Sequence, residues 1–162
     1  MCIRKVASDD EGCLRKIAQE ILEPIYGNQE KAIDGWLNGN GFKHAFVFED
    51  DKKIIGLLSL KANPDKSYLK ISTLIVTNGH RDKNVGRELL GKALVFAVER
   101  DCGEVVVTVS EMREDVLGFF MCSGFHLVKK CPDKYTKGIT EYILRRILWW
   151  MTWDLRENIL PW

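Results

Sequence analysis

Apolar positions along the chain recur at two spacings, and stretches of the two kinds alternate. Runs rich in β-branched and aromatic residues predict seven strands, at about 2–6, 44–49, 54–60, 69–76, 105–109, 125–130 and 139–147. Apolar residues three or four positions apart predict four helices, at about 8–23, 29–37, 85–100 and 114–121. Short polar turns separate strands two, three and four, so these strands should form an antiparallel meander.

Several helix ends carry their own signals. Ser8, followed three residues later by Glu11, has the spacing of a capping box, so Ser8 is the predicted N-cap of the first helix. Asn28 is the predicted cap of the second helix, and Gly124 the predicted C-terminal glycine of the fourth.

Strand five, 105–109, is nearly all β-branched, which is typical of a strand buried on both faces in a parallel pair. Strand four, the third helix and strand five then form a right-handed βαβ unit. We therefore expect an α/β protein (α+β in some classifications) with a mixed, mostly antiparallel sheet. The 162 residues suit one domain, 1–148, with an aromatic extension, 149–162, packed on it. A homodimer contact, a lid over a ligand pocket and a membrane-surface role are the alternatives for that extension.

Composition narrows the class of protein. The chain is 46% hydrophobic with a net charge of +1, which argues against a general nucleic-acid binder. The most apolar stretch, 143–153, contains two arginines and is too short to span a bilayer. Five scattered cysteines without a C-x-x-C pair indicate reduced thiols and no metal site, and no secretory leader is evident. We therefore expect a cytoplasmic protein.

The connection between strand four and the third helix carries the most specific chemistry. Residues 76–87 read V-T-N-G-H-R-D-K-N-V-G-R, and Asn78, Gly79, Asn84 and Gly86 are residue types that permit positive φ or a close backbone approach. Backbone N–H groups at a helix N-terminus attract phosphate, and nearby basic side chains add to that attraction. The stretch predicts a pyrophosphate-binding loop, with an ordinary βα turn and a solvated basic rim as the alternative. The stretch lacks the motifs of a P-loop and of a dinucleotide site, so binding of a nucleotide by another fold is the least favoured hypothesis for it.

The same stretch resembles a known signature. V-x-x-x-x-R-x-x-N-x-G is similar to the V-x-P-x-x-[QR]-x-x-G-x-[GA] motif of the GNAT superfamily of acetyl-CoA-dependent N-acetyltransferases. Val76, Arg81 and Gly86 match it. Asn78 stands where proline is common, and Asn84 replaces the first glycine, although asparagine tolerates a left-handed backbone.

A second segment, F-F-M-C-S-G-F at 119–125, resembles the family's Tyr-x-x-x-Gly-Phe signature, with Phe120 in the tyrosine position. In many members that tyrosine hydroxyl protonates the departing CoA thiolate, which a phenylalanine cannot do. Because a thiol has a pKa near 8.5, its thiolate can leave without an acid.

The resemblance implies a GNAT fold in which strands four and five splay apart, pantetheine lies in the gap, and the Val76 N–H polarises the acetyl carbonyl. The residues expected to bind the cofactor are Leu74, Ile75, Val76, Arg81, Asp82, Lys83, Asn84, Val85, Gly86, Arg87 and Phe120. Tyr26 and Trp36, on the first helices, would line the acceptor pocket, with core packing as the alternative.

The proton acceptor for the amine is the least determined part. One family position for a glutamate base, six residues before Val76, is occupied by Lys70. Glu111, after strand five and near the mouth of the gap, and His126 are the candidates, with a solvated side chain as the alternative for each. The sequence thus predicts acetyl transfer from acetyl-CoA to a primary amine by direct attack. The alternative is a CoA-binding or partner-binding protein of the same fold without transfer.

Overall fold

A computed structural model describes residues 1–81 and 84–148 of the chain. The elements match the predicted order. The strands are β1 (Cys2–Lys5), β2 (Lys43–Asp50), β3 (Lys53–Lys61), β4 (Tyr68–Val76), β5 (Glu104–Ser110), β6 (His126–Pro132) and β7 (Thr140–Ile147). The helices are α1 (Glu11–Ile17), α2 (Glu23–Tyr26), α3 (Glu30–Asn38), α4 (Val85–Glu99) and α5 (Glu114–Cys122).

The strands form one seven-stranded sheet in the order β1-β2-β3-β4-β5-β7-β6. The β1–β2, β2–β3, β5–β7 and β6–β7 pairs are antiparallel, whereas β4 and β5 are parallel. The mixed sheet predicted from the β-branched fifth strand and its crossover helix is therefore confirmed. The expected splaying of β4 from β5 stays a prediction, as does the one-domain organisation. The extension, 149–162, lies outside the described residues.

The first helical stretch differs in detail from its prediction. A 3₁₀ turn at Ser8–Asp10 precedes α1, and a π-helical turn at Ala18–Leu22 joins α1 to α2. Ser8 is not the cap: the N-cap is Ala7, whose N–H donates to the Asp10 carboxylate at 2.8 Å, and Asp10 also forms an ion pair with Arg4. The N-cap of α3 is Gln29, one residue after the predicted Asn28, but the Asn28 Oδ1 still accepts the Glu30 N–H at 2.9 Å.

The chain divides into two compact units. The first comprises residues 1–63 and 71–93, and a buried cluster of Leu14, Ile17, Ile33, Trp36 and Val47 packs α1 and α3 on its strands. Among the described residues, the second comprises 64–70 and 94–148, and its buried residues include Val107, Phe120, Phe125 and Leu144. Within the described residues, no helix has the length and apolar content to cross a membrane. All five cysteines are unpaired.

Candidate functional site

The carboxyl end of β4 is fixed by hydrogen bonds to β3. The Thr77 N–H donates to the Ile55 carbonyl at 3.0 Å, and the Thr77 hydroxyl donates to the same oxygen at 3.2 Å. The His80 N–H closes a turn onto the Thr77 carbonyl at 3.2 Å, with Gly79 at a φ of +83°. The chain thus leaves β4 in a defined tight turn.

Asn84 begins α4 in a left-handed conformation. Its φ is +59°, and its carbonyl accepts the Glu88 N–H at 3.0 Å, which is the first turn of the helix. The N–H groups of Val85, Gly86 and Arg87 precede that hydrogen bond, so none has a carbonyl of the helix four residues earlier. Asparagine therefore adopts here the conformation for which the family signature uses glycine.

Gly56 of β3 positions the start of α4, a role that the sequence analysis did not identify. A Cβ atom at this residue would lie 2.9 Å from Leu89 Cδ1 and 3.0 Å from Val85 Cγ1. Val85 and Leu89 are fully buried, so the first turns of α4 lie directly on the glycine. A lone glycine inside a strand is the signal of such a close approach.

Among the predicted loop residues, the charged side chains that the structure describes are exposed to solvent. Arg81 and Arg87 are exposed, whereas Val85 is buried and Gly86 half-buried. Asp82 and Lys83 lie outside the described residues, so their predicted role stays a prediction. On β4, Ile75 is buried and Leu74 and Val76 are half-buried.

The second signature forms the C-terminus of α5. Gly124 has a φ of +85°, the Phe125 N–H bonds to the Phe120 carbonyl at 3.1 Å, and the Gly124 N–H bonds to the Met121 carbonyl at 3.3 Å. These bonds form a Schellman motif, which confirms the predicted glycine. The Phe120 ring is 1% exposed and makes edge contacts with Phe119 and Phe125, at centroid distances of 5.2 and 5.1 Å.

The candidate bases occupy different settings. Glu111 is half-buried and ordered: its Oε1 accepts the Thr140 N–H at 2.7 Å, and its own N–H donates to the Thr140 carbonyl at 2.9 Å. His126 is exposed at the start of β6, at the edge of the sheet. Lys70, at the family's glutamate position, is half-buried on β4.

A buried acidic residue, Glu141, was missed by the sequence analysis. Glu141 of β7 is 1% exposed, and neither carboxylate oxygen has a hydrogen-bond partner in the part of the chain that is described. Burial raises the pKa of this carboxyl, Lys134 offsets part of the rise, and the charge of Glu111 adds to it. The sequence carried little signal for it, because β7 reads T-E-Y-I-L-R-R-I and contains two arginines as well as this glutamate.

The two residues predicted to line the acceptor pocket lie in the first unit. Tyr26 is half-buried at the end of α2. Trp36 is 3% exposed in the core cluster, and its indole Nε1 has no hydrogen-bond partner among the described residues. Core packing therefore accounts for most of the Trp36 side chain, and the pocket role of both residues stays a prediction.

The order of elements and the mixed seven-stranded sheet define an acetyltransferase-type fold. The model of the "Acetyltransferase (GNAT) family" matches residues 12–125, and the chain belongs to this family. It is similar to N-alpha-acetyltransferase 30 of Xenopus laevis, with 27% identity over 141 residues, 84% of this chain and 49% of that protein. The chain thus spans about half the length of this curated relative.

Solved structures show the same fold at lower identity. NAA60 of Arabidopsis thaliana, in complex with a bisubstrate analogue, has a TM-score of 0.78 at 16% identity, over 90% of this chain and 97% of that one. Ard1 of Thermoplasma volcanium has a TM-score of 0.77 at 20% identity, over 90% and 96%. A ribosomal-protein-alanine N-acetyltransferase of Brucella melitensis has a TM-score of 0.75 at 16% identity, over 91% and 100%.

Proposed function

We propose that this chain transfers an acetyl group from acetyl-CoA to a primary amine by direct attack of the amine on the thioester. Membership of the acetyltransferase family supports acyl transfer in general. The donor, the acceptor class and the residues that bind them are the parts that we infer.

The observation that carries the proposal is the start of α4. The left-handed Asn84 begins the helix at the position of the family's glycine, and three first-turn N–H groups follow it. A diphosphate accepts such hydrogen bonds, and the helix dipole favours its negative charge. The exposed side chains of Arg81 and Arg87 would add charge-assisted contacts.

Chemistry at the thioester would use few side chains. The Val76 N–H at the end of β4 would polarise the acetyl carbonyl, and the amine nitrogen would then displace the thiolate. Phe120 has no hydroxyl and its ring is buried, so it supplies no acid to the departing sulfur. Solvent or the amine itself would provide that proton, since a thiolate is a tolerable leaving group.

The names of the relatives support a choice of acceptor class to test first. The named relatives include N-alpha-acetyltransferases and a ribosomal-protein-alanine N-acetyltransferase. We therefore propose peptide α-amines as the first acceptors to test, ahead of lysine side chains, polyamines and antibiotics. The same fold in solved structures serves a spermidine and an aminoglycoside acetyltransferase, so these amines belong in the panel.

Binding of CoA tests the donor site. We expect CoA to raise the melting temperature and to slow amide hydrogen exchange in peptides that cover 85–90, because the first-turn N–H groups become bonded. Arg87→Gln should weaken CoA binding about tenfold, the equivalent of about 1.4 kcal/mol. Lys31→Gln, which removes an exposed charge on α3, is the matched control and should leave binding unchanged. Unchanged exchange at saturating CoA would contradict the proposed site.

Turnover distinguishes an enzyme from a binding protein. The absence of a hydroxyl at Phe120 and of a glutamate at Lys70 favours, as the second candidate, a CoA-binding protein without transfer. Release of free CoA thiol from acetyl-CoA should depend on an added amine and should yield the acetylated amine by mass spectrometry. If CoA binds but no amine in the panel becomes acetylated, the binding protein is the correct description.

A further inference from the structure

The start of β7 holds a carboxylate whose surroundings provide no hydrogen-bond donor. Glu141 lies between Ser110 of β5 and Cys131 of β6 in the strand register. Its side chain is 1% exposed, and both carboxylate oxygens are without a partner among residues 1–81 and 84–148. Leaving a buried charged group unpaired is strongly unfavourable, so such a group either takes up a proton or binds a ligand of opposite charge.

A second carboxylate, that of Glu111, acts on Glu141 through its charge and is held by the residue next to Glu141. Two hydrogen bonds join Glu111 to Thr140, the residue before Glu141, at 2.7 and 2.9 Å. Glu111 is half-buried, so this end of the pair can be reached from solvent. The charged groups that act on Glu141 are Glu111, at the end of β5, and Lys134, in the turn between β6 and β7. The only other titratable group beside it in the register is the Cys131 thiol of β6.

Two neighbouring carboxylates with unused lone pairs suit a small cation that can donate hydrogen bonds. An alkylammonium group offers three N–H donors on one nitrogen. A structural metal ion usually takes more protein ligands, and the described residues contain no group of three or more His, Cys, Asp or Glu arranged to hold one. An ammonium ion is therefore the ligand that best fits the pair.

We propose that Glu111 and Glu141 form the ammonium-binding site for the acceptor, and that the Glu141 carboxylate takes the proton that activates the amine. The proton-acceptor role rests on the proposed acetyl transfer, whereas the ammonium-binding site does not. The ammonium N–H bond breaks and its proton goes to a Glu141 oxygen, which leaves a lone pair on nitrogen. That lone pair forms the C–N bond, and the C–S bond breaks with its electrons on sulfur. The second proton lost by nitrogen neutralises the thiolate, and Glu141 returns its own proton to solvent.

Binding can be tested without turnover. The full chain, labelled with ¹³C at the glutamate side-chain carboxyls, gives a Glu141 resonance that is assigned by its loss in Glu141→Gln. We expect glycinamide, a primary ammonium, to shift this resonance saturably, and N-acetylglycinamide, its neutral counterpart, to leave it unchanged. Glu111→Gln should weaken the glycinamide effect about tenfold, because one charge-assisted partner is lost. Glu114→Gln, an exposed glutamate on α5, is the matched control and should behave as the wild type.

Several outcomes would overturn the site. A Glu141 resonance that ignores glycinamide and dipeptide amides refutes it, as does one that responds to Ca²⁺ or Mg²⁺ but to no amine. The CoA melting-temperature shift on the same sample keeps the two proposals separate. A CoA shift without an amine response removes only the ammonium site, and an amine response without a CoA shift removes only the acetyl transfer.

The role as proton acceptor has its own readout. With the best acceptor of the panel, Glu141→Gln should lower kcat/KM about 100-fold and abolish the acidic limb of its pH profile. Glu114→Gln should keep both. If the activity of Glu141→Gln falls only as far as its fraction of folded protein falls, and the acidic limb is retained, the role of Glu141 is structural and the assignment is refuted.

Discussion

Substitution of Asn84 tests the geometry on which the donor site depends. An L-residue with a Cβ atom loses about 1–2 kcal/mol in the left-handed region, and asparagine loses less than most. Asn84 holds a φ of +59° while its carbonyl begins α4, so the backbone cannot move away without breaking that hydrogen bond. Asn84→Gly should therefore stay within about 0.5 kcal/mol of wild type, because its freedom from strain is offset by greater flexibility of the unfolded chain. Asn84→Ala should lose about 1 kcal/mol and Asn84→Val about 2 kcal/mol.

The loss can appear in either of two measurements. If the strained loop persists in the free protein, the free energy of unfolding in urea falls by these amounts. If the loop relaxes instead, CoA must restore it, and the dissociation constant rises about fivefold for alanine and about 30-fold for valine. The sum of the two losses, from urea unfolding and from calorimetric titration with CoA, is the quantity that the structure predicts.

Asn78→Val is the matched control, because Asn78 is exposed in the same connection and is not among the residues with positive φ. It should change the summed loss by less than about 0.5 kcal/mol. If Asn84→Val loses neither stability nor CoA affinity, the left-handed residue does not determine the start of α4, and the reasoning fails. If Asn78→Val loses as much, the effect belongs to the loop in general.

Four further changes test separate parts of the structure. Gly56→Ala should lower the free energy of unfolding by about 1–3 kcal/mol in urea, because the new methyl lies too close to the side chains of α4. Arg4→Met should cost about 1 kcal/mol at pH 7, because Arg4 forms ion pairs with Asp10 and Glu49. Since Arg4 lowers the pKa of Asp10, the part of this loss that comes from Asp10 should disappear as titration to acid protonates Asp10 in the folded wild type. Phe120→Tyr should cost about 1–3 kcal/mol and fail to raise kcat, because its hydroxyl would be buried without a partner. Glu141→Met should raise the free energy of unfolding by about 1–3 kcal/mol at pH 7 and by less below about pH 4, where the carboxyl is protonated in both states.

Local sequence signals were sufficient to predict most of the helices and strands and the position of the connection after β4. The β-branched run of β5, the apolar spacing of α4 and the glycine after α5 are features that neighbouring residues determine, and their bounds agree with the structure to within about two residues. The predicted start of the first helix was wrong because it depends on a residue outside the helix. The N-cap is Ala7, and the Asp10 carboxylate that accepts its N–H is held by Arg4 of β1, a pairing that the Ser8–Glu11 spacing does not reveal.

The parts of the candidate site that the sequence did not reveal depend on distant pairings. Gly56 matters because α4, about 30 residues later, packs on β3 at that residue. Glu141 is buried because β7 lies between β5 and β6, and the alternation of one strand cannot show which neighbours it will have. Glu111 was a candidate from its position after β5, but its fixed orientation comes from Thr140, 29 residues away.

Two of the positions that depart from ordinary backbone or hydrogen-bonding preferences lie in the proposed sites. Asn84 takes a backbone conformation that most residues avoid, and Glu141 places a carboxylate among buried groups without a donor. Each lowers stability, and neither is required to complete a helix or a strand, since glycine at the first position and an apolar residue at the second would serve the fold better. Strain and unpaired charge concentrate where a protein meets a ligand. The two positions therefore support a common interpretation: the first prepares backbone N–H groups for the phosphates of the donor, and the second prepares a carboxylate for the ammonium of the acceptor.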